Sequence, residues 1–443
     1  MVEQCRRLAH TIPLGMLLGG LLPCAGAAEP DTEVLNQLRR LAEQNEALER
    51  QLRRQQEVID ELSRRMGVLQ SSADALGRAT AQGEGDAPKR PEGFVAGRVR
   101  ISGEGAIGLF HSQSDGMFPH AEFRVDEAKL FLEAPVWGDV YFFTELNLYT
   151  REEPNADLRA GELYLDVENL SRLWDQQGQL NLRLGRMDIP IGEEYLTRDA
   201  IDNPLVSHSI MDFWGVDEGV EVYGGLGKFS YVVAVQNGGH DALHDFNSDK
   251  SVAARVGLDP AAWLHASVSA MRTGDLDVKN DKLSELWLGS GFVRSLGSPG
   301  TTTFAAEVLQ GDVQIKWKKT KLAASGGVLH YHDNDPAAEN RHNVPYYYVE
   351  AQQILYKGFY AAARWSQMFA EDGFPIVGNG NAGEYGFSPE LTTGLWRLSL
   401  GLGYRWSDHF LFKGEYSFEQ GRTLSGQARN REDMVAGVLA GSF

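Results

Sequence analysis

The sequence predicts an all-β transmembrane antiparallel β-barrel of 16 or 18 strands, preceded by an N-terminal α-helical coiled coil. Three observations predict this architecture. A heptad repeat occupies the N-terminal region, apolar and polar residues alternate in segments of about ten residues from position 94 onward, and short turns alternate with long polar loops. The net charge of −19 argues against a nucleic-acid partner, which would require clustered positive charge.

Residues 1–28 have the pattern of a secretory signal peptide. A basic pair, Arg6 and Arg7, precedes an apolar run that ends at Leu22, and small residues then supply a cleavage site. Cleavage would remove Cys5 and Cys24, so the mature chain would have no cysteine with which to form a disulfide. A lipid anchor on Cys24 is the alternative, and the proline before that cysteine disfavours it.

A heptad repeat over residues 31–73 predicts a coiled coil. The a positions are Leu38, Asn45, Leu52, Ile59, Met66 and Ala73, and the d positions are Val34, Leu41, Leu48, Gln55, Leu62 and Leu69. The narrow apolar stripe favours self-association, and the two polar seam residues would fix the register. Residues 74–93 are rich in Ala, Gly and Ser and are predicted to be a linker.

Residues 94–443 are predicted to form the barrel. Long polar loops are expected at Ile189–Gly215, Asn237–Lys250, Asp333–Pro345, Ala370–Thr393 and Glu419–Asn430. Short turns are expected around Gly138, Gly225–Gly227, Asp259–Pro260, Lys357–Gly358 and Ser407–Asp408. About 350 residues, at roughly 20 per strand with its connection, give 16 to 18 strands. The count is 18 if Thr302–Leu309 and Gly311–Lys318 are separate strands. A barrel of this size encloses a water-filled lumen.

Aromatic residues near the strand ends suit the interfacial girdles of a membrane barrel. They are Trp137, Tyr141, Phe142, Phe143, Trp263, Trp287, Tyr346, Tyr347, Tyr348, Tyr360, Trp365, Trp396, Tyr404, Trp406, Phe410 and Phe412. The chain ends on Phe443, at the end of an alternating segment that begins at Met434. A terminal aromatic on a final strand resembles the signal that the barrel-assembly machinery reads.

Two segments resemble the phosphate-selective porin O and P family. The first runs from Phe123 to Glu133 and continues through Gly138–Phe142 and Glu145–Asn147. The second, Leu182–Glu194, resembles the family's strand that leads into a long inward-folded loop. The resemblance implies a homotrimer of 16-stranded barrels, each with a pore narrowed by that loop.

The charges depart from the family pattern. Asp126 and Glu127 stand where the family commonly has arginines, and Asp188 stands where it commonly has lysine. The expected constriction, Asp188–Glu218, carries eight acidic residues against Arg198 alone: Asp188, Glu193, Glu194, Asp199, Asp202, Asp212, Asp217 and Glu218. Because rings of carboxylates favour cations, we do not carry phosphate selectivity over to this chain.

Further residues are predicted to face the pore. Arg98, Arg100, Arg124 and Arg183 form a candidate basic strip, and Glu145 and Asp166 are candidate acidic lining residues. Lys129 has the parity of Glu127 and not of Arg124, so both cations can point inward only if the strand carries a bulge. These charges could instead pair with one another across the lumen wall.

No pattern in the chain predicts an enzyme, a metal site or a cofactor. Two G-x-G-x-x-G matches, at Gly103 and Gly378, do not open a helix after a strand. The pairs His330/His332 and His240/His244 could bind a transition metal, but without strict ligand spacing they are more simply read as solvated loop residues. Lysines 316, 318, 319 and 321 suit either a solute-collecting vestibule or snorkelling at the membrane interface.

The sequence therefore predicts an outer-membrane porin for passive diffusion of small hydrophilic solutes or ions, either general or weakly cation-preferring. The alternatives are a phosphate- or anion-selective porin, and an envelope-tethering protein whose periplasmic coiled coil binds the cell wall. The expected partners are outer-membrane lipid, two further copies of the chain and the barrel-assembly machinery.

Overall fold

A computed structural model describes residues 94–96, 98–150, 159–238, 248–278, 287–288, 296, 300–337, 339–376, 378 and 390–443. The predicted signal peptide, coiled coil and linker lie outside these residues, as do His240 and His244. Among the described residues, no helix combines the length and the apolar composition needed to cross a bilayer.

The described residues form a closed antiparallel barrel of sixteen strands. The strands are β1 Val99–Ser112, β2 Glu122–Trp137, β3 Val140–Thr150, β4 Arg159–Val167, β5 Asn181–Asp188, β6 Val216–Leu226, β7 Phe229–Gln236, β8 Ser251–Ala261, β9 Leu264–Arg272, β10 Thr303–Trp317, β11 Thr320–Asp333, β12 Arg341–Tyr356, β13 Phe359–Phe374, β14 Thr392–Ser407, β15 Phe410–Thr423 and β16 Met434–Ser442. β16 pairs with β1, from Ser112 opposite Met434 to Glu104 opposite Ser442, so the sheet has no free edge in the barrel wall.

Several short segments accompany the barrel. They are the strands Phe94–Ala96, Phe213–Trp214, Leu276–Asp277, Trp287–Leu288 and Ala428–Arg429, the 3-10 helix Leu170–Trp174, and the helix α1, Glu194–Thr197. Phe213–Trp214 pairs with Trp287–Leu288 apart from the barrel sheet.

The count of 18 strands is wrong at Gly311. Residues 303–317 form the single strand β10, in which Gly311 pairs with Val268 on one side and Gly326 on the other. Glycine is common in turns, so Gly311 suggests a break between two strands. In the structure Gly311 is an ordinary strand residue, paired on both sides. With β10 continuous, two-residue turns alternate with longer connections, apart from 168–180, which contains the 3-10 helix.

Other boundaries also differ from the prediction. Asp259 and Pro260 belong to β8, where the register shifts between Leu258 and Ala261, and the turn follows at residues 262–263. Strands β12, β13 and β15 are longer than ten residues, so Pro345, Ala370 and Glu419 lie in strands and not in loops. In these long strands, the polar residues that face the barrel lumen resemble loop residues in sequence.

A bulge in β2 resolves the parity of its two cations. Ala106 of β1 pairs with Glu127 whereas the next residue, Ile107, pairs with Val125, which leaves Asp126 as the extra residue. One inserted residue reverses the alternation. Arg124 and Lys129 therefore both point toward the lumen, which the sequence allows only for a strand with a bulge.

The outer surface of the wall is apolar. Outward positions carry large aliphatic residues, among them Ile107, Leu163, Val235, Val268, Leu309, Leu400 and Leu439. Trp137, Trp263, Trp317, Trp406 and Phe410 form an exposed aromatic ring near the short turns. Phe143, Tyr346, Tyr348 and Tyr360, predicted for the girdle, are instead buried toward the lumen. The apolar outer face and the aromatic ring are those of a membrane-spanning barrel.

The last residue helps to close the barrel. The backbone N–H of Phe443 donates to the Gly103 carbonyl at 2.9 Å, and the Gly103 N–H donates back at 3.2 Å. Phe443 is nevertheless 55% exposed.

We predict that Phe443→Ala lowers the yield of folded barrel in cells, because it removes the terminal aromatic while leaving the strand. The yield is measured as the heat-modifiable band on a semi-native gel. Phe412→Ala is the matched control, since Phe412 is 58% exposed on the neighbouring strand. Equal losses in the two variants would contradict a special role for the terminus.

Candidate functional site

The loop at residues 189–215, here called the inner loop, follows β5 and folds into the barrel. One group of its apolar residues packs on the inner wall of β10–β14, and a second group packs against β1, β15 and β16. The first group is Ile189, Ile191, Ile210, Met211 and Phe213, and the second is Ala200, Ile201, Leu205 and Val206. The loop therefore fills part of the lumen that barrel size alone predicts to be open.

Lys413 of β15 holds the inner loop by its main chain. Its buried ammonium donates to the carbonyl oxygens of Ala200 at 2.8 Å, Asn203 at 3.1 Å and Leu205 at 2.7 Å. An ammonium has three N–H donors, and all three are used. Three carbonyl groups of the loop therefore converge on one cation, and Arg405 adds a fourth bond, to the Ile201 carbonyl at 2.6 Å.

Arg364 of β13 connects the inner loop to the wall through both charge and backbone. The guanidinium is 1% exposed and lies 2.6 Å from a Glu350 oxygen and 3.2 Å from Oε1 of Glu194. It also donates to the Ser207 carbonyl at 2.7 Å. Burial by itself raises the pKa of the Glu194 carboxyl, but the positive charges of Arg364 and Arg198 outweigh burial and lower that pKa to about 2.

Glu415 binds the loop with the opposite polarity. Its carboxylate accepts from the backbone N–H groups of Val206 at 2.6 Å and Ser207 at 2.8 Å, and from the Ser207 hydroxyl at 2.5 Å. Hydrogen bonds to a charged acceptor are stronger than neutral ones. Lys413 and Glu415 thus clamp adjacent stretches of loop from one strand.

An open cavity of about 510 Å³ lies between the inner loop and β1–β8. Its lining includes four cations, Arg100, Lys129, Arg183 and Arg255, and eight carboxylates, Glu104, Glu133, Glu145, Glu162, Asp188, Asp199, Asp202 and Glu221. Tyrosines 164, 195, 223 and 231 also line it. The open part of the lumen is therefore polar and is lined by more carboxyl groups than basic groups.

Lys129 of β2 connects the barrel wall to the tip of the inner loop. Its ammonium lies 2.5 Å from Glu127, 3.3 Å from Asp199 and 3.7 Å from Glu104. Glu127 in turn accepts from the Ala200 N–H at 3.1 Å. Three carboxylates thus share one ammonium group. The Asp199 side chain remains 45% exposed.

Arg183 of β5 is fixed on the same side of the barrel, three strands from Lys129. It bonds Asp166 at 3.0 Å and Glu221 at 2.9 Å. Its guanidinium lies over the rings of Tyr223 and Tyr164, at 4.3 and 5.0 Å from their centroids. Asp166 also accepts from the Tyr223 hydroxyl, so this charge is locked between partners.

A second cavity, of about 370 Å³, lies on the other side of the inner loop. Its charged lining residues are Glu193, Arg198, Asp202, Asp259, His265, Lys316, Lys321 and Glu350. Lys316 and Lys321 therefore face the lumen, while Lys318 and Lys319 form the turn between β10 and β11. Asp202 lines both cavities and is exposed.

The predicted pore residues fall into three groups. Those that line a cavity are Arg100, Lys129, Glu145, Arg183, Asp188, Glu193, Arg198, Asp199 and Asp202. Those that are buried or paired beside the lumen are Asp126, Glu127, Asp166, Glu194, Asp212, Asp217 and Glu218. Arg98 lies in an exposed turn before β1, and Arg124 pairs with Glu122 at 3.4 Å near the long loops.

Much of the acidity of segment 188–218 is neutralised locally. Glu194 faces Arg364, Glu218 pairs with Arg186 at 2.9 Å, and the buried Asp217 accepts from the Gly238 N–H at 2.6 Å. Asp199 and Asp202 are the exposed carboxylates near the loop tip. The charge count of the segment therefore overstates what a passing ion meets.

The sequence prediction missed the loop-anchoring residues of the far wall. They are Glu350, Arg364, Arg397, Arg405, Lys413, Glu415 and Glu419, on β12–β15. Arg397, for example, bonds Glu419 at 2.5 Å and donates to the His208 carbonyl at 3.1 Å. A local signal existed, because Arg364, Arg397 and Lys413 each follow an apolar residue within an alternating strand.

No protein-family model and no curated protein matches the sequence. Solved structures do share the fold. The outer membrane channel DcaP of Acinetobacter baumannii superposes with a TM-score of 0.53 at 14% identity, covering 78% of this chain and 97% of that one. The anion-selective porin from Comamonas acidovorans gives 0.52 at 9% identity, covering 78% and 99%.

The trimer form of OmpT, an outer membrane protein of Vibrio cholerae, gives a TM-score of 0.50 at 9% identity, with coverage of 78% and 99%. At these identities the likeness concerns the fold. The chain thus has the 16-stranded barrel fold of outer-membrane porins, with an inward-folded loop.

Proposed function

We propose that this protein is an outer-membrane porin through which small hydrophilic solutes and ions diffuse passively, with a weak preference for cations. The observation that carries the proposal is the polar cavity between the inner loop and β1–β8, inside a closed barrel with an apolar outer face. A membrane barrel of sixteen strands is wide enough for an aqueous channel.

The preference for cations rests on the cavity lining. This lining has eight carboxyl groups and four basic groups. On the far wall, the basic residues Arg364 and Lys413 are buried and donate hydrogen bonds to carbonyl oxygens of the inner loop. Because those charges are already bonded, they attract passing anions less than two carboxylates attract cations: the exposed Asp202, and Asp199, which shares Lys129 with two other carboxylates and keeps 45% of its side chain exposed. The phosphate-selective specialisation of the resembling family finds no support in this lining.

Anion selectivity is the second candidate. One similar fold is that of a porin described as anion-selective, and Lys316, Lys321 and Arg198 line the second cavity. Planar-bilayer recording of the purified protein under a KCl gradient separates the two. We expect open channels and a small reversal potential whose sign shows that K⁺ permeates more readily than Cl⁻. A clear anion potential would overturn the preference, and absence of conductance would overturn the porin.

We further propose a homotrimer, with the long loops outside the cell and the short turns and the coiled coil in the periplasm. The trimer form of a similar fold and the heptad repeat at residues 31–73 support this assembly.

A further inference from the structure

Three metal-ligating side chains of the inner loop meet outside the main cavity. Glu194, His208 and Asp212 each offer one ligand atom, and these atoms lie within 4.8 Å of one another. Nδ1 of His208 is 2.7 Å from Oδ2 of Asp212 and 3.9 Å from Oε1 of Glu194. A small shift of side chains would bring one oxygen or nitrogen atom of each to the roughly 2 Å bond length of a zinc site.

Backbone donors hold both carboxylates in place. The Ser209 N–H donates to Oε1 of Glu194 at 2.9 Å, and the Tyr195 N–H donates to Oδ1 of Asp212 at 3.1 Å. Each bond uses one oxygen and orients the other. Metal ligands are commonly oriented by such outer hydrogen bonds.

One buried oxygen in the cluster lacks a donor. Oε2 of Glu194 accepts no hydrogen bond from the described residues, although Glu194 is only 2% exposed. A buried charged oxygen without a partner is costly and calls for an explanation such as a bound ion. Arg364 does not satisfy this oxygen, because its contact is with Oε1, and it also bonds Glu350.

A second acidic cluster shows the contrast. Glu104, Glu127 and Asp199 also bring their oxygens within 4.8 Å of one another. There Lys129 already supplies the positive charge, at 2.5 to 3.7 Å from all three carboxylates. In the cluster of Glu194, His208 and Asp212, the positive charge is that of Arg364, which contacts Glu194 through Oε1 and leaves Oε2 without a donor among the described residues.

We propose that Glu194, His208 and Asp212 bind a divalent transition-metal ion of the Zn²⁺ class. Two carboxylates and one imidazole suit Zn²⁺, and three protein ligands leave a fourth position for water. The His208 side chain is 29% exposed, so the cluster is open to solvent on that side. The ion would join α1 to the returning part of the inner loop. This site is independent of whether the barrel conducts.

Calorimetric titration with ZnCl₂ tests the site on the full-length protein, purified in detergent and stripped with chelator. We expect one saturable Zn²⁺ per chain in the wild type, and binding at least about tenfold weaker in His208→Gln and in Asp212→Asn. If His208→Gln does not fold, as judged by heat modifiability, Asp212→Asn decides.

His265→Gln is the matched control. His265 is 26% exposed on the lumen wall and also lies between two carboxylates, Glu193 at 3.3 Å and Asp259 at 2.8 Å. It should bind Zn²⁺ as the wild type does. The site is refuted by a wild type without one saturable ion per chain, by folded His208→Gln and Asp212→Asn proteins that keep full affinity, or by an equal loss in His265→Gln.

Discussion

The substitution Arg364→Met will lower the free energy of unfolding of the barrel by about 3 to 5 kcal/mol, the range for breaking a buried ion pair from one side. The cation is 1% exposed, and its loss leaves Glu194 and Glu350 buried with less compensation. It also removes the bond to the Ser207 carbonyl. We therefore expect the inner loop to detach from β13, and denaturant titration of the refolded protein measures the loss.

Loop release has a readout of its own. Arg198 lies in the inner loop, with a side chain that is 10% exposed and bonded to Glu350 at 2.8 Å. In Arg364→Met it should become a site of rapid trypsin cleavage, and single-channel conductance should rise. Arg341→Met is the control, because Arg341 pairs with Glu339 in water, where an ion pair contributes little. An intact loop in Arg364→Met would show that the backbone bonds from Lys413 suffice.

We expect that neutralising the two exposed loop-tip carboxylates reduces the proposed preference for cations. Asp199 and Asp202 both line the main cavity, and Asp199→Asn also leaves Lys129 with one carboxylate fewer. A unit charge about 4 Å from an ion in water contributes about 1 kcal/mol, which is roughly a fivefold change in partition. We expect the double variant to lower the ratio of cation to anion permeability by about fivefold or more in dilute salt, where screening is weak.

The control for this prediction changes the same charge outside the lumen. Asp175 and Asp408 are exposed in short connections between strands. The double variant Asp175→Asn/Asp408→Asn should leave the reversal potential unchanged. If the two double variants shift it equally, overall protein charge and not the loop tip governs selectivity.

The barrel could be predicted because its main signal is local. Alternation with period two is visible within ten residues, and it predicted the start of β16 at Met434, where the strand begins. Strand number was harder to predict, since Gly311 inside β10 has the composition of a turn. The bulge at Asp126 left a trace in the sequence, namely two cations of opposite parity in one strand.

The anchoring of the inner loop could not be predicted from local patterns. Arg198 and Glu350 are 152 residues apart, and Lys413 is 213 residues from the Ala200 carbonyl that it binds. Only closure of the barrel brings them together. Counting charges over residues 188–218 therefore took no account of Arg186, Arg364 and the backbone N–H groups that pair with several of the carboxylates.

The clamp formed by Lys413 and Glu415 recognises peptide groups, which every amino acid has. Most residues that they hold, at positions 200–207, can change side chain without losing those bonds. The attachment of the loop and the charges that it displays are thus separable properties. Substitution at Asp199 or Asp202 would therefore change the charge that the loop presents to the lumen, while the same two wall residues continue to hold the loop in place.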